Sequence, residues 1–149
     1  MKTEMPTPAR LVLVEDSPAD VFLVQEAMRR EGLDCRLEVA DNGESAIHIL
    51  DRVDADPREQ PPELLLLDLN VPRKNGIMVL DRLRRSPRCA GIPVIMISSS
   101  DSPVDRRRAF DLGATEYFRK PSALDEFMRL GAMVRRLLDQ VRQQQLSRA

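Results

Sequence analysis

Five short strand-like segments, each followed by a stretch with helical spacing, constrain this chain more than any other feature. Leu11-Val12-Leu13-Val14, Leu64-Leu65-Leu66-Leu67 and Val94-Ile95-Met96-Ile97 are uninterrupted apolar runs, and each stops abruptly at a polar residue. A strand with one wet face alternates apolar and polar side chains, so an unbroken run of this length asks for burial on both faces. Cys35 to Ala40 and Thr115 to Arg119 read as two further strands. Between them lie helices. Ser17-Pro18 places a capping hydroxyl before a proline at the first helical position, and Val21, Val24 and Met28 recur at helical spacing until Gly32 ends the pattern. The same logic predicts helices over Gly43–Val53, Gly76–Arg85, Pro103–Leu112 and Ser122 to about Gln145. Strands alternating with helices make an α/β chain, its parallel sheet covered on both faces by right-handed crossovers.

The length of 149 residues fits one domain. We expect a tail over residues 1–9, a folded region over 10–142 and a second tail over 143–149, with the Gln143-Gln144-Gln145 tract fraying. The polar, proline-rich stretch from Asp54 to Pro62 reads as an exposed connection within the domain. Lys and Arg number 23 against 24 Asp and Glu, a near-balance that argues against a general basic surface for direct nucleic-acid binding. Only Cys35, Cys89 and His48 offer soft ligands, too few for a zinc site or a disulfide framework, and His48 reads as structural. A reducing cytoplasm is the expected location. No apolar run approaches the roughly 18 residues of a membrane span, and the first residues lack a signal-peptide core, so neither membrane nor secretion is expected.

In open parallel sheets, ligands gather outside the carboxyl ends of the strands. Glu15 and Asp16 follow the first strand and Asp68 the third, which brings three carboxylates to one rim. Two like charges about 4 Å apart repel by roughly 4 kcal/mol at an effective dielectric of about 20, so the cluster needs a proton or a cation. Hard oxygen ligands select Mg²⁺. Ser98 ends the fourth strand and Lys120 the fifth, adding a hydroxyl and an ammonium at the same rim. A carboxylate nucleophile, a divalent cation, a hydroxyl and a fixed positive charge are what aspartyl-phosphate chemistry requires.

With those residues in view, the chain resembles the receiver domain of two-component response regulators. The resemblance runs over about residues 10–140. It is carried by Leu-Val-Glu15-Asp16, Leu-Leu-Asp68-Leu-Asn-Val-Pro72-Arg-Lys-Asn-Gly76, Pro93-Val-Ile-Met-Ile-Ser98 and Tyr117-Phe-Arg-Lys120-Pro121, in that order and at similar separations. The Asp20-Val21-Phe22-Leu23-Val24-Gln25-Glu26-Ala27 helix and the loop from Asn70 to Lys74 are further similar to phytochrome-associated single-domain regulators.

The resemblance implies a flavodoxin-like fold with sheet order 2-1-3-4-5 and five helices. It implies Asp68 as phosphoacceptor, Asp16 as a direct Mg²⁺ ligand, Glu15 as an acid acting mainly through water, and the backbone carbonyl of Asn70 as a further ligand. Ser98 and Lys120 would hold the phosphoryl group, with Ser99, Ser100 and Pro121 beside the pocket and a cis Lys120–Pro121 bond. Glu15 stands where Asp is frequent in the family, and Ser98 where Thr is frequent. Tyr117 is either the family's switch aromatic or an anchored strand tyrosine, and Arg106-Arg107-Arg108 is either a solvated face or a partner surface. The implied partners are a sensor histidine kinase, phytochrome-type included, or a histidine phosphotransfer protein. An unidentified protein target would read the face of helix four, strand five and helix five.

A wide apolar stripe on the fifth helix, from Leu124 to Val141, makes a homodimer through that face a further expectation. Helix five consumes nearly all of the chain after Pro121, so no effector domain is expected, and the protein is read as a self-modifying phosphoacceptor rather than an enzyme in the ordinary sense. Three rival readings fit these residues less well. A small phosphatase of the haloacid-dehalogenase type would want Asp at position 70, where Asn70 stands. A flavodoxin-like cofactor binder would want a phosphate loop where Glu15 and Asp16 stand, and a phosphate-independent degenerate receiver would not keep the five polar rim residues.

Overall fold

The computed structural model describes residues 8–148. Residues 1–7 of the expected first tail and Ala149 of the second lie outside the described residues. Five strands, β1 (Ala9–Val14), β2 (Cys35–Ala40), β3 (Leu64–Asp68), β4 (Val94–Ser98) and β5 (Glu116–Arg119), form one sheet in the order β2-β1-β3-β4-β5. Every pairing is parallel, with Leu13 opposite Leu66, Leu67 opposite Met96 and Ile97 opposite Phe118. The helices are α1 (Pro18–Arg30), α2 (Gly43–Ala55), α3 (Gly76–Arg84), α4 (Pro103–Asp111), α5 (Leu124–Phe127) and α6 (Arg129–Arg148).

The unbroken apolar runs are explained by how the pleat divides them. Val12, Val14, Leu65, Leu67, Val94 and Met96 face one core, against Ile49, Leu50 and Val53 of α2 and Val79, Leu80 and Leu83 of α3. Leu11, Leu13, Leu64, Leu66, Ile95 and Ile97 face the other, against Val24, Ala27 and Met28 of α1 and Phe127, Leu130, Val134 and Leu138 of the last two helices. Each central strand is therefore apolar at every position because each position lies in one of two cores.

The C-terminal region departs from expectation in four ways. The expected single fifth helix is divided at Met128: the Gly131 N–H bonds the Met128 carbonyl three residues back, tightening the turn where Gly131 passes close to the Ala27 carbonyl of α1. The Gln143–Gln145 tract is helical, within α6. Most of the wide apolar stripe is covered inside the molecule, since Leu130, Val134, Leu137 and Leu138 are buried between the sheet and α1, while Leu124 at its start is exposed. Finally, no cis peptide bond occurs among the described residues, so Lys120–Pro121 is trans rather than cis. At the other end Ala9, placed in the tail by the sequence reading, opens β1. The expected Asp54–Pro62 connection begins later, because α2 takes in Asp54 and Ala55, and it is fastened: Arg88 donates to the carbonyls of Val53 and Asp56, and Pro62 is buried.

One contact outside the cores positions the rim. The β3–α3 loop runs over the N-terminus of α2, where Gly43 N donates to the Pro72 carbonyl at 3.0 Å and Glu44 N to the Arg73 carbonyl at 2.7 Å. Loop carbonyls thus satisfy helix donors that would otherwise lack partners. Arg73 and Lys74 hold φ of 49° and 72°, a left-handed pair that costs of order 1–3 kcal/mol per residue and persists because the surroundings impose it. A Cβ at Gly43 would lie 1.7 Å from the Lys74 carbonyl oxygen, so only glycine fits. Gly43→Ala is expected to lower stability by about 1–3 kcal/mol in urea unfolding, the cost of overpacking a site whose neighbour is backbone.

Candidate functional site

The carboxyl ends of β1, β3, β4 and β5 deliver the polar residues to one rim. The strand ladder continues into it: Glu15 N bonds the Ala40 carbonyl, Leu69 N the Ile97 carbonyl and Lys120 N the Ser98 carbonyl. Glu15, Asp16 and Asp68 each offer an oxygen, and these oxygens lie within 4.8 Å of one another. Glu15 and Asp68 are buried at 2% and 5% exposure, whereas Asp16 is exposed and its carboxylate has no hydrogen bond or ion pair among the described residues. Two held oxygens and one open one, all hard donors, suit a small divalent cation such as Mg²⁺.

Lys120 is the centre of the charge arrangement. Its Nζ lies 2.7 Å from Glu15 Oε1, 2.7 Å from Asp20 Oδ2 and 2.8 Å from Asp68 Oδ2. The other Asp68 oxygen, Oδ1, accepts from Asn70 N at 2.8 Å, and Glu15 Oε2 accepts from Ser17 N at 3.2 Å. Burial would lower the Lys120 pKa, but hydrogen bonds to Asp20, Asp68 and Glu15 outweigh it and hold the ammonium firmly charged. Burial also pushes the Glu15 carboxyl from an ordinary 4.5 up to about 7; Lys120 pulls it back and Asp68 pushes it further up.

Ser98, fully buried at the end of β4, accepts from Ser100 N at 3.0 Å. Ser100 in turn ties this hydroxyl to α4. Its Oγ donates to Asp105 Oδ2 at 2.9 Å and accepts from Ser102 N, and its carbonyl accepts from the Tyr117 hydroxyl at 3.2 Å. Tyr117 is therefore turned inward and anchored, with the Arg106 guanidinium 5.3 Å from its ring centroid. Arg107 and Arg108 are exposed, as is His48 on α2. Ser99 is exposed, and Ser100 and Pro121 are half-buried beside Ser98 and Lys120.

The structure thus brings Glu15, Asp16, Asp68 and Lys120 together as the sequence reading expects. That reading did not single out Asp20 as a partner of Lys120. Its only sequence signal is an acid three residues after the Ser17 cap, which reads equally well as helix capping.

Residues 11–130 match the response regulator receiver domain, and the chain belongs to that family. Among curated relatives it is 32% identical over 130 residues to the response regulator Rcp1 of Synechocystis sp., covering 87% of this chain and 88% of that protein. It is 33% identical over 126 residues to the probable methanogenesis regulatory protein FilR2 of Methanothrix harundinacea, covering 85% of this chain and 81% of that one. Against the transcriptional regulatory protein TrcR of Mycobacterium tuberculosis the identity is 36%, and the match spans only 47% of the relative's length. Among solved structures, the phosphorylated cyanobacterial phytochrome response regulator RcpA superposes with a TM-score of 0.77 at 29% identity, covering 86% of this chain and 91% of that one. The Mn²⁺-bound form of Rcp1 gives 0.75 at 31%, covering 85% and 91%. The five-stranded parallel sheet in order 2-1-3-4-5 is thus the receiver fold. Among the described residues, no helix is long and apolar enough to cross a membrane.

The raised Glu15 pKa gives a pH dependence with a defined sign. In the metal-free protein the folded state holds the Glu15 proton more tightly than the unfolded chain, so this group's contribution to stability is present below about 4.5 and is lost as pH rises through about 7. Cation binding favours the ionised carboxyl. Mg²⁺ affinity, followed by calorimetry, is therefore expected to fall as pH drops below about 7, by up to about tenfold per unit for one linked proton, and Glu15→Gln is expected to flatten that dependence.

Proposed function

We propose that this chain is a phosphorylation switch in which Asp68 accepts a phosphoryl group from a phosphohistidine, carried by a sensor histidine kinase or a histidine phosphotransfer protein. The observation that carries the reading is the meeting of Glu15, Asp16 and Asp68 with the Lys120 ammonium at one strand rim. An Asp68 oxygen forms a bond to phosphorus while the phosphorus–nitrogen bond of the phosphohistidine breaks, the nitrogen keeping the electron pair. A carboxylate nucleophile needs no general base, so the work left to the protein is positioning and charge stabilisation. Mg²⁺, held by Asp16, Asp68 and the Asn70 backbone carbonyl, and by Glu15 mainly through water, would neutralise charge on the phosphoryl oxygens.

Lys120 passes from the Asp68 carboxylate to a phosphoryl oxygen. Ser98 Oγ accepts from Ser100 N and keeps its own proton for another phosphoryl oxygen. Each such charge-assisted bond is worth about 1.5–3 kcal/mol. Reversing a 1:99 equilibrium takes about 5.5 kcal/mol, so two bonds suffice only where they are made almost wholly in the active conformation. Through Ser100, movement of Ser98 reaches Asp105 of α4 and Tyr117 of β5, which supports output to a protein target on the α4, β5 and α6 face. We further infer a cytoplasmic regulator with a folded region of residues 10–142. The similarity to RcpA and to the bacteriophytochrome response regulator RtBRR, at 32% identity and a TM-score of 0.70, supports a phytochrome-type kinase as donor.

Incubation with acetyl phosphate and Mg²⁺, read by intact mass, is expected to add one phosphoryl group to the wild type and none to Asp68→Asn. Equal addition to both would remove Asp68 from the role.

A further inference from the structure

Lys120 has three ammonium protons and three carboxylate partners. Glu15 and Asp68 belong to the acidic rim; Asp20 does not share in that cluster. It sits in the first turn of α1, three residues after the cap Ser17. A carboxylate there ordinarily reaches back to the backbone N–H of the cap residue. That N–H is already bonded to Glu15 Oε2 at 3.2 Å, while Ser17 Oγ accepts from Asp20 N at 3.3 Å. Relieved of the capping role, the Asp20 carboxylate turns to Lys120 at 2.7 Å, with its side chain 26% exposed against 14% for the lysine.

We propose that Asp20 is a positioning residue for phosphoryl binding at Asp68, serving as the fixed pivot that holds the Lys120 ammonium within reach of the phosphoryl oxygens. The proposal rests on the reading of Asp68 as phosphoacceptor. Of the three carboxylates around Lys120, Asp68 changes chemically when phosphorylated and Glu15 faces the cation site. Asp20 alone keeps the same charge and the same chemistry throughout. A lysine carries its charge on a long, freely rotating stem, so an anchor that survives the change at Asp68 spares the site from ordering that stem anew. The bond also links the first turn of α1 to the phosphoryl pocket, a connection no other described contact of Asp20 supplies.

Positioning and simple electrostatics predict opposite signs. A negative charge beside the pocket repels an incoming anion, so on charge alone neutralising Asp20 strengthens anion binding. As a pivot for Lys120, its loss weakens binding. The probe is beryllofluoride at saturating Mg²⁺, followed by the fluorescence of Tyr117, the only tyrosine in a chain without tryptophan. Asp20→Asn is expected to weaken beryllofluoride binding about tenfold when Lys120 is present and less than about twofold in a Lys120→Met background, a coupling that a general loss of structure would not produce. Proton exchange of the Lys120 ammonium, read by nitrogen-15 NMR in the beryllofluoride form, is expected to be severalfold faster in Asp20→Asn than in the wild type. A gain in affinity, an equal loss in both backgrounds, or unchanged ammonium exchange overturns the role of Asp20. Should wild type bind no beryllofluoride, the phosphoacceptor reading falls, and this proposal with it. Wild-type binding that is lost with Asp68→Asn and weakened but still measurable with Lys120→Met, yet untouched by Asp20→Asn, removes the pivot alone.

Discussion

The ammonium of Lys120 sets the terms for the rest of the rim. Glu15, Asp16 and Asp68 crowd together at the ends of β1 and β3, and this one cation bonds Glu15 and Asp68 of that cluster together with Asp20 in the first turn of α1. Without it, like charges at such separations would drive the carboxyls to take up protons or the loops to move apart. With it, Asp68 and Glu15 remain buried beside an open, exposed Asp16. The net charge left at the rim is still negative. Under the proposed function, such a rim would favour a divalent cation before an anionic phosphoryl group.

A second constraint fixes the surroundings of Asp68. The loop after β3 carries two left-handed residues, Arg73 and Lys74, and is latched by its carbonyls to the amides of Gly43 and Glu44. Gly76 closes the same loop: a Cβ there would sit 2.5 Å from the Asp68 carbonyl oxygen, a backbone approach that any other side chain would block. The Asn70 amide meets Asp68 Oδ1 within this frame. On the far side, Ser100 gathers contacts from Ser98, Asp105 and Tyr117, so the pocket is latched to the α2 N-terminus on its β3 side and linked to α4 and β5 on the other.

Much of this was legible in the residues. Leu64–Leu67 and Val94–Ile97 demand a two-faced sheet, and an acid or hydroxyl directly after each run falls at its carboxyl end by geometry alone. Three features were not legible, for separate physical reasons. The break at Met128 comes from the close passage of Gly131 against α1, a distant contact that helical spacing does not encode. The apolar width of the last helix looked like surplus because its second partner, α1, lies about a hundred residues earlier in the chain. The trans Lys120–Pro121 bond runs against an expectation that rested on resemblance, not on any property of the two residues.

The sequence by itself determined the alternation of strands and helices, the two-sided burial of the central strands and the identity of the groups at their ends. These follow from local periodicity and from the fixed direction of a parallel strand. The tertiary structure alone decided which carboxylates share Lys120, because Asp20 and Asp68 are drawn to that ammonium from 100 and 52 residues away. Separation in sequence says nothing of separation in space until the sheet order has been fixed. Only then does an acid in the first turn of α1 become a neighbour of the lysine after β5.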